Sequence, residues 1–290
     1  MADKVEERKS VIHLVSTRRS QWPWGLGNEI YRPLRKMGYR VIDTDYRKDS
    51  DRLPELLSQR ADLVIVIKGQ SIPSQLIERI SCPKVLWYPD DIFAFSPARP
   101  TISRVGFAYD IVYTFDKVAI SEVRSLGGKD VRWLPFGCNL NIHKKMELPK
   151  IYDLSFVGNL HPNRLALFPR LQRKFNFFIA AGTYMLKMVK IFNQSKVVFN
   201  LAIGKTGCNQ RVFEALGGGS FLLTNEIPMD GRIFEDKRHL VYFNEENLEE
   251  LIEYYLASEE EREEIASEGH REVIENHTYT IGRLRYWKIP

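Results

Sequence analysis

The segment "DLVIVI" (62–67) places five apolar residues in a row, without the polar alternation of a half-buried strand. A strand that is apolar on both faces is typical of a parallel sheet with helices on each side. Comparable runs recur in the first half of the chain, separated by amphipathic or charged stretches: "VIHLV" (11–15), "YRVID" (39–43), "KVLWY" (84–88), "DIVYTF" (110–115) and "VRWLPF" (131–136). This alternation predicts an α/β fold built on a parallel sheet.

The same alternation starts again after the polar stretch "GCNLNIHKKMELPKIY" (137–152). Its strands are predicted at "DLSFVG" (153–158), "KFNFFIAAG" (174–182), "SKVVFNLA" (195–202), "GSFLLTN" (219–225) and "HLVYF" (239–243). We therefore predict two Rossmann-like domains, residues 1–148 and 149–278, that face each other across a cleft between the carboxyl ends of both sheets, where such folds bind ligands. The aromatic and basic residues 279–290 are predicted to form a helix that packs back onto the first domain.

Charge and composition argue against several classes of protein. The chain has 42 Lys and Arg against 37 Asp and Glu, yet no run of four basic residues, which favours a small phosphate-bearing ligand over nucleic acid. The apolar runs are too short to cross a bilayer, and "MADKVEERKS" (1–10) lacks the apolar stretch of a secretory signal. We expect a cytoplasmic protein without a membrane span. Three widely separated cysteines argue against a disulfide framework and a thiolate zinc site: Cys82, Cys138 and Cys208.

The first candidate ligand site is "GNLHPNR" (158–164), which follows the strand "DLSFV". Gly158 and Asn159 are predicted at the carboxyl end of that strand, and Arg164 in the first turn of the next helix. Free backbone N–H groups at the helix start, together with a guanidinium, suit the oxygens of a diphosphate. The alternative is a plain strand-to-helix turn with an exposed arginine.

The second candidate is "NQRVFEALGGG" (209–219), where a helix is predicted to begin near Asn209. Arg211 and Glu214 are three positions apart and fall near one helix face. The carboxylate can accept hydrogen bonds from both hydroxyls of a ribose, while the arginine and the helix start face the phosphate groups. The glycines 217–219 end the helix. A plain helix stop is the alternative interpretation.

The chain resembles the CgeB-like (spore-maturation) glycosyltransferases over residues 150–280. The resemblance is carried by "DLSFVGNLHPNR", "FNQSKVVFNLA", "NQRVFEALGGGSFLLTNE" and the acidic helical segment from "EENLEELIEYYLA" to "ENHTY". It implies the GT-B architecture, a nucleotide diphosphate sugar as co-substrate, with a UDP-sugar expected, and donor binding by Gly158, Asn159, Arg164, Asn209, Arg211 and Glu214.

One departure from the family pattern leaves the stereochemistry open. Retaining GT-B enzymes often carry two glutamates eight positions apart, the later of which binds the ribose. Glu214 fits the later position, but the earlier position is Thr206.

The first half offers a glycine pair and an aspartate pair. Gly25 and Gly27 precede a helix and partly imitate a dinucleotide fingerprint, but its third glycine is replaced by Ile30, which weakens that interpretation. We predict that they form a glycine loop that lets acceptor and donor approach each other, and a flexible loop between strand and helix is the alternative. In "WYPDD" (87–91), Asp90 and Asp91 follow an apolar strand. If the reaction inverts the anomeric centre, one of them is expected to be the base. If it retains, they bind hydroxyls, and a simple turn is the remaining alternative.

No metal site is predicted. The six histidines lack metal-ligand spacing, and "DTD" (43–45), which resembles the D-x-D motif of another glycosyltransferase class, is interpreted as a strand-end pair.

These observations favour a metal-independent glycosyltransferase of the hexosyltransferase type. The acceptor hydroxyl, on a glycan, protein, small molecule or nucleic acid, is not identified by the sequence. The alternatives are an NAD-dependent oxidoreductase that uses the first half, and a nucleotide-sugar-binding module without turnover.

Overall fold

The computed structural model describes residues 10–17, 25–94, 98–226 and 233–279. The chain divides into two compact units that meet in sequence between Leu134 and Pro135. Each unit is built on one sheet, and all paired strands of both sheets are parallel. The predicted α/β class with two Rossmann-like domains is therefore confirmed.

The sheet of the first unit has the strand order β2-β1-β3-β4-β5-β6. Its strands are β1 (Val11–Ser16), β2 (Arg40–Asp45), β3 (Leu63–Ile67), β4 (Lys84–Tyr88), β5 (Ile111–Thr114) and β6 (Val131–Trp133). The helices are α1 (Leu26–Lys36), α2 (Leu53–Leu57), α3 (Ser74–Glu78), α4 (Ala98–Val105) and α5 (Ala119–Ser125), with 3-10 turns at Ser50–Arg52 and Gly106–Ala108. All five residues of β3 are buried, as its uninterrupted apolar sequence predicts.

The sheet of the second unit has the order β11-β10-β9-β7-β8. Its strands are β7 (Tyr152–Val157), β8 (Phe177–Ala180), β9 (Ser195–Asn200), β10 (Leu222–Asn225) and β11 (Val241–Phe243). The helices are α6 (Pro162–Gln172), α7 (Met185–Asn193), α8 (Gln210–Gly217), α9 (Leu248–Ala257) and α10 (Glu259–Asn276). Each strand predicted from the sequence thus forms, although several end earlier than the apolar run that marks them.

An aromatic cluster fixes α6 on the second sheet. The ring of Phe168 lies 4.8 Å from that of Phe156 and 5.2 Å from that of Phe177, measured between centroids. Phe199 joins the cluster from β9. Aromatic pairs at these separations add to the free energy of burial. The cluster anchors α6, so the position of its first turn is set by packing further along the helix.

The polar stretch between the two sets of strands belongs to the second unit. The backbone N–H of Cys138 donates to the carbonyl of His277 (2.9 Å), and that of Met146 donates to Oδ1 of Asn193 (2.7 Å). Because these bonds tie the stretch to α7 and to the end of α10, the compact units meet earlier in the chain than the predicted position at residue 148.

Two predictions for the carboxyl-terminal part have different outcomes. Helices α9 and α10 form as predicted. Ser258, the N-cap residue immediately before α10, makes no side-chain capping bond to a described residue. The Glu261 carboxylate accepts instead from the hydroxyls of Tyr254 (2.7 Å) and Tyr255 (3.4 Å). The helix predicted over 279–290 falls on residues 280–290, which lie outside the described residues. Within the described ranges, no helix has the length and apolar character needed to cross a membrane.

Candidate functional site

The second sheet changes its direction of construction at β7. This strand lies between β8 and β9, so the chain adds β8 on one side of β7 and β9 on the other. In parallel α/β sheets, a crevice forms outside the carboxyl ends of the strands at such a switch point, and ligands bind there. Here the edges of the crevice are formed by Gly158 and Asn159 after β7 and by Leu201 after β9.

Arg164 spans this crevice from the first turn of α6. Its Nη1 donates to the carbonyl of Asn159 (2.6 Å), and its Nε and Nη2 donate to the carbonyl of Leu201 (3.0 and 2.6 Å). The guanidinium also lies over the ring of Phe156, 4.9 Å from its centroid. One side chain therefore holds together the two loops that follow β7 and β9.

Among the residues that the structure describes, no carboxylate pairs with the charge of Arg164. The side chain is buried, with the residue 7% exposed, so the alternative of an exposed arginine does not hold. Its hydrogen-bond acceptors in the described part of the chain are neutral carbonyls. Burial, and next the positive charge of Arg211, lower the pKa of Arg164 to about 10. An anion in this crevice would relieve both effects.

Helix α8 brings Arg211 and Glu214 together, as their spacing predicts. Nη1 of Arg211 donates to Oε2 of Glu214 (2.7 Å), and Nε2 of Gln210 donates to Oε1 (2.9 Å). The Arg211 side chain also contacts the sulfur of Met188 and lies 5.7 Å from the ring centroid of Phe192, both on α7. Both charged side chains are mostly buried, at 17% and 12% exposed. The pair is a preformed, partly desolvated ionic contact.

Asn209, predicted to bind the donor, is the N-cap residue immediately before α8. Its Nδ2 donates to Oδ1 of Asn200 at the end of β9 (3.4 Å), and Nδ2 of Asn200 donates to Thr224 Oγ1 (2.9 Å). Oδ1 of Asn209 is buried and has no hydrogen-bond partner among the described residues. The amide of Asn209 thus faces the protein and joins the start of α8 to the sheet.

Asn225, at the end of β10, fixes the loop after β9 and was not identified from the sequence. Its Oδ1 accepts from the backbone N–H of Ala202 (2.6 Å), and its Nδ2 donates to the carbonyl of the same residue (3.4 Å). No sequence motif distinguishes this asparagine from others at strand ends. Beside it lies a cavity of about 650 Å³ at the carboxyl ends of β9 to β11, lined by residues that include Asn163, Leu201, Asn225, Phe243 and Leu248.

His143 is a second residue that was not identified. Its ring is buried, its Nδ1 accepts from the backbone N–H of Asn139 (2.9 Å), and its Nε2 lies 3.8 Å from Oε1 of Glu214. Burial lowers the pKa of His143, although the Glu214 carboxylate opposes this change. Sequence spacing can indicate metal-ligating histidines, but it does not indicate a histidine such as His143, whose partner is a carboxylate on a distant helix.

The glycine pair of the first unit lies at the start of α1. Gly25 is the residue before the helix, and Gly27 packs against the end of β1. A Cβ at position 27 would stand 2.3 Å from Oγ of Ser16, so only glycine allows this close approach. The contact accounts for Gly27 through packing. Residues 18–24, which precede the pair, lie outside the described residues.

The two aspartates after β4 have different surroundings. Asp90 forms an ion pair with Lys68 (2.7 Å between Oδ1 and Nζ), and Lys68 has the left-handed backbone (φ 65°) that non-glycine residues rarely adopt. Asp91 is buried, and its Oδ1 accepts from the backbone N–H groups of Phe93 and Ala94 (2.7 and 3.1 Å). Asp91 therefore stabilises the turn, whereas Asp90 remains partly accessible, with 19% of its side chain exposed.

The "DTD" segment ends β2. Oδ1 of Asp45 accepts from the backbone N–H groups of Arg47 and Lys48 (3.0 and 3.2 Å), as a turn-stabilising aspartate does. In the ranges that the structure describes, no three His, Cys, Asp or Glu side chains are grouped as metal ligands.

Comparisons with known proteins agree with this geometry. Residues 144–285 match the family model described as glycosyl transferase-like, and no curated protein matches the sequence. Sucrose-phosphate synthase of Thermosynechococcus elongatus is similar in structure, with a TM-score of 0.71, 11% identity and coverage of 96% of this chain and 97% of that chain.

Two further solved structures are similar over nearly the whole chain. HepE of Anabaena in complex with UDP-glucose has a TM-score of 0.66 and 10% identity, and the match covers 95% of this chain and 98% of that chain. A glycosyltransferase of Rickettsia africae has a TM-score of 0.70 and 11% identity, with 98% of each chain covered. At these identities the likeness shows the fold, which is that of the GT-B glycosyltransferases.

Proposed function

We propose that the protein transfers a hexosyl group from a nucleotide diphosphate sugar to an acceptor hydroxyl. The match of residues 144–285 to the glycosyl transferase-like family model supports this proposal. The resemblance of its motifs to those of the CgeB-like glycosyltransferases leads us to place it in that subfamily as part of this proposal. The domain that begins near residue 149 binds the donor, and the domain before it serves the acceptor.

The observation that carries this proposal is the buried guanidinium of Arg164. It stands at the switch point of the second sheet and donates to the neutral carbonyls of Asn159 and Leu201, with Arg211 close enough to lower its pKa. A diphosphate supplies the missing negative charge, and the positive end of the α6 dipole adds to the attraction. The first turn of α6 offers fewer free N–H groups than expected, because Pro162 has none and those of Arg164 and Leu165 donate to the carbonyl of His161.

Neighbouring groups extend the donor site from the diphosphate to the sugar of the nucleoside. Glu214 holds its carboxylate between Gln210 and Arg211, where it can accept the ribose hydroxyls. Asn209 positions the start of α8 for this task. HepE binds UDP-glucose, which supports a UDP-sugar as the donor here.

The positive charges of Arg164 and Arg211 replace a metal ion in this proposal. They stabilise the departing nucleotide diphosphate, and such preorganised electrostatic stabilisation is a large part of catalysis in many enzymes. In the first unit, Asp90 is the better of the two candidate bases, because Asp91 is committed to the turn. A base is required if the reaction inverts the anomeric centre. If it retains, Asp90 binds a hydroxyl. Gly25 remains a candidate for close approach of the donor, whereas Gly27 is accounted for by its packing against Ser16.

The test is a thermal-shift panel followed by a turnover assay. UDP, GDP, TDP, ADP, CMP and their common sugar conjugates are compared with NAD and NADP. A ligand at a hundred times its dissociation constant stabilises the folded state by about 2.7 kcal/mol. We expect stabilisation by UDP and a UDP-sugar, and release of UDP from the latter. Stabilisation by NAD alone would indicate an oxidoreductase, and UDP-sugar binding without release would indicate a non-catalytic module.

A further inference from the structure

His143 is held against α8 by close packing. A Cβ at Gly217 would lie 2.7 Å from Cβ of Cys138 and 3.3 Å from Cβ of His143, so the glycine lets the helix approach the segment that carries the histidine. The ring is 3% exposed. Its position is therefore determined by the packing of two backbone segments.

The hydrogen bond to Nδ1 selects the tautomer of His143. Because Nδ1 accepts from the backbone N–H of Asn139 (2.9 Å), the proton of the neutral ring is on Nε2. Burial lowers the pKa of the ring and so keeps it neutral. The Nε2–H group faces Oε1 of Glu214 at 3.8 Å, and Arg211 lies beyond that carboxylate.

The other contacts of the Glu214 carboxylate come from its own helix. Gln210 donates to Oε1 and Arg211 to Oε2. Arg211 is held in turn by Met188 and Phe192 on α7, which restrains Oε2, whereas Gln210 on the same helix is the only one of the two that restrains Oε1. His143 approaches Oε1 from a separate segment and is itself fixed. It is the contact that can relate the carboxylate to a ligand held by the sheet.

We propose that His143 is a positioning residue, whose neutral imidazole orients the Glu214 carboxylate toward the ribose hydroxyls of the nucleotide. This inference rests on the proposed function, because it takes Glu214 as the ribose-binding group. His143 itself acts through Glu214 and does not contact the substrate. At 3.8 Å the contact is longer than a hydrogen bond, and it acts through the attraction between the N–H dipole and the carboxylate charge, which favours the orientation with Oε1 facing the ring.

The experiment measures affinity by calorimetry for UDP and for 2′,3′-dideoxy-UDP, which lacks both ribose hydroxyls. His143→Ala and His143→Asn are expected to weaken UDP binding about fivefold, which is less than the effect of a full hydrogen bond to a charged group because Nε2 and Oε1 are 3.8 Å apart. They should change dideoxy-UDP binding less than about twofold. His143→Gln can place an amide N–H near the Nε2 position and should retain most of the affinity for UDP.

The matched control is His270→Asn. His270 lines the same cavity of about 660 Å³ as His143, but its Nδ1 bonds to the Leu216 carbonyl and not to Glu214. This variant should bind both nucleotides like the wild type. Equal losses for the two nucleotides in the His143 variants would indicate a merely structural role and overturn the proposal.

A second measurement separates this inference from the proposed function. In the ligand-free protein, ¹⁵N NMR of the histidine ring should show the neutral tautomer with the proton on Nε2 at pH 7. Its Nε2 signal should shift in Glu214→Gln. A ring protonated on Nδ1 would overturn the positioning role even if UDP binds. A wild type that binds no nucleotide diphosphate would contradict the proposed function itself, and the inference with it.

Discussion

Replacement of Arg164 by glutamine should separate nucleotide binding from folding. Burial and Arg211 lower the pKa of Arg164 to about 10, which corresponds to about 3 kcal/mol against the charged form at 1.36 kcal/mol per pKa unit. In the ligand-free protein, Arg164→Gln removes this penalty. It also removes donors to the carbonyls of Asn159 and Leu201, at about 1–3 kcal/mol for a buried group left unpaired. The two effects oppose each other, so the melting temperature should move by only a few degrees.

Binding of the diphosphate should respond much more strongly. Loss of one partner of a buried charged contact typically costs 2 kcal/mol or more, so the affinity for UDP should fall by about 30-fold or more. Uridine, which lacks the phosphates, should bind Arg164→Gln and the wild type equally well. Calorimetric titration of UDP, UMP and uridine into both proteins measures this difference directly.

Arg173, the residue that follows α6, provides the matched control. It is exposed and is not among the residues that line the cavity beside Asn225, so Arg173→Gln should bind UDP like the wild type. Unchanged UDP affinity in Arg164→Gln would refute the assignment of this guanidinium to the diphosphate. A similar loss for UDP and uridine would refute it as well, since that would indicate distortion of the site.

Three other changes test separate parts of the structure. Asp90→Asn should lower the turnover of the sugar donor by about a hundredfold or more if Asp90 is the base, with UDP affinity unchanged; undiminished turnover contradicts that role. Gly217→Ala should lower the unfolding free energy by about 1–3 kcal/mol, because the new Cβ meets Cys138 at 2.7 Å. The milder contacts at Gly218, 3.3 Å or longer, predict a smaller loss for Gly218→Ala in the same denaturant titration. Burial lowers the pKa of His13 from 6.5 to about 4, so the unfolded chain takes up a proton at a higher pH than the folded protein does. As the pH falls from 6.5 to about 4, His13 should therefore lower the unfolding free energy by about 1.4 kcal/mol per pH unit. His13→Gln should reduce the slope by that amount and leave the contribution of other groups such as His143, and an unchanged slope would contradict the role of His13.

The strands were predictable because their signal is local. A parallel strand buried on both faces must be apolar throughout, and runs such as "DLVIVI" have that composition whatever their neighbours are. The contact between Arg211 and Glu214 was predictable for the same reason, since spacing along a helix determines which side chains meet.

The rest of the site depends on contacts between distant segments, which composition and spacing do not contain. Arg164 was expected near a phosphate, but its bonds to the carbonyl of Leu201 follow from the order of the strands. His143 reaches Glu214 only because Gly217 lets two segments pack closely. The domain boundary was predicted at residue 148, within the polar stretch 137–152, because the bonds of that stretch to later residues leave no trace in the sequence.

The three hydrogen bonds of Arg164 also bear on how the protein meets a ligand. The loops after β7 and β9 are already joined through one guanidinium, so their conformational entropy is lost when the chain folds and not when the ligand arrives. Such a crevice does not need an induced rearrangement to accept an anion. We therefore expect even a fragment as small as pyrophosphate to bind a preformed site. Its association should be fast and should depend steeply on ionic strength.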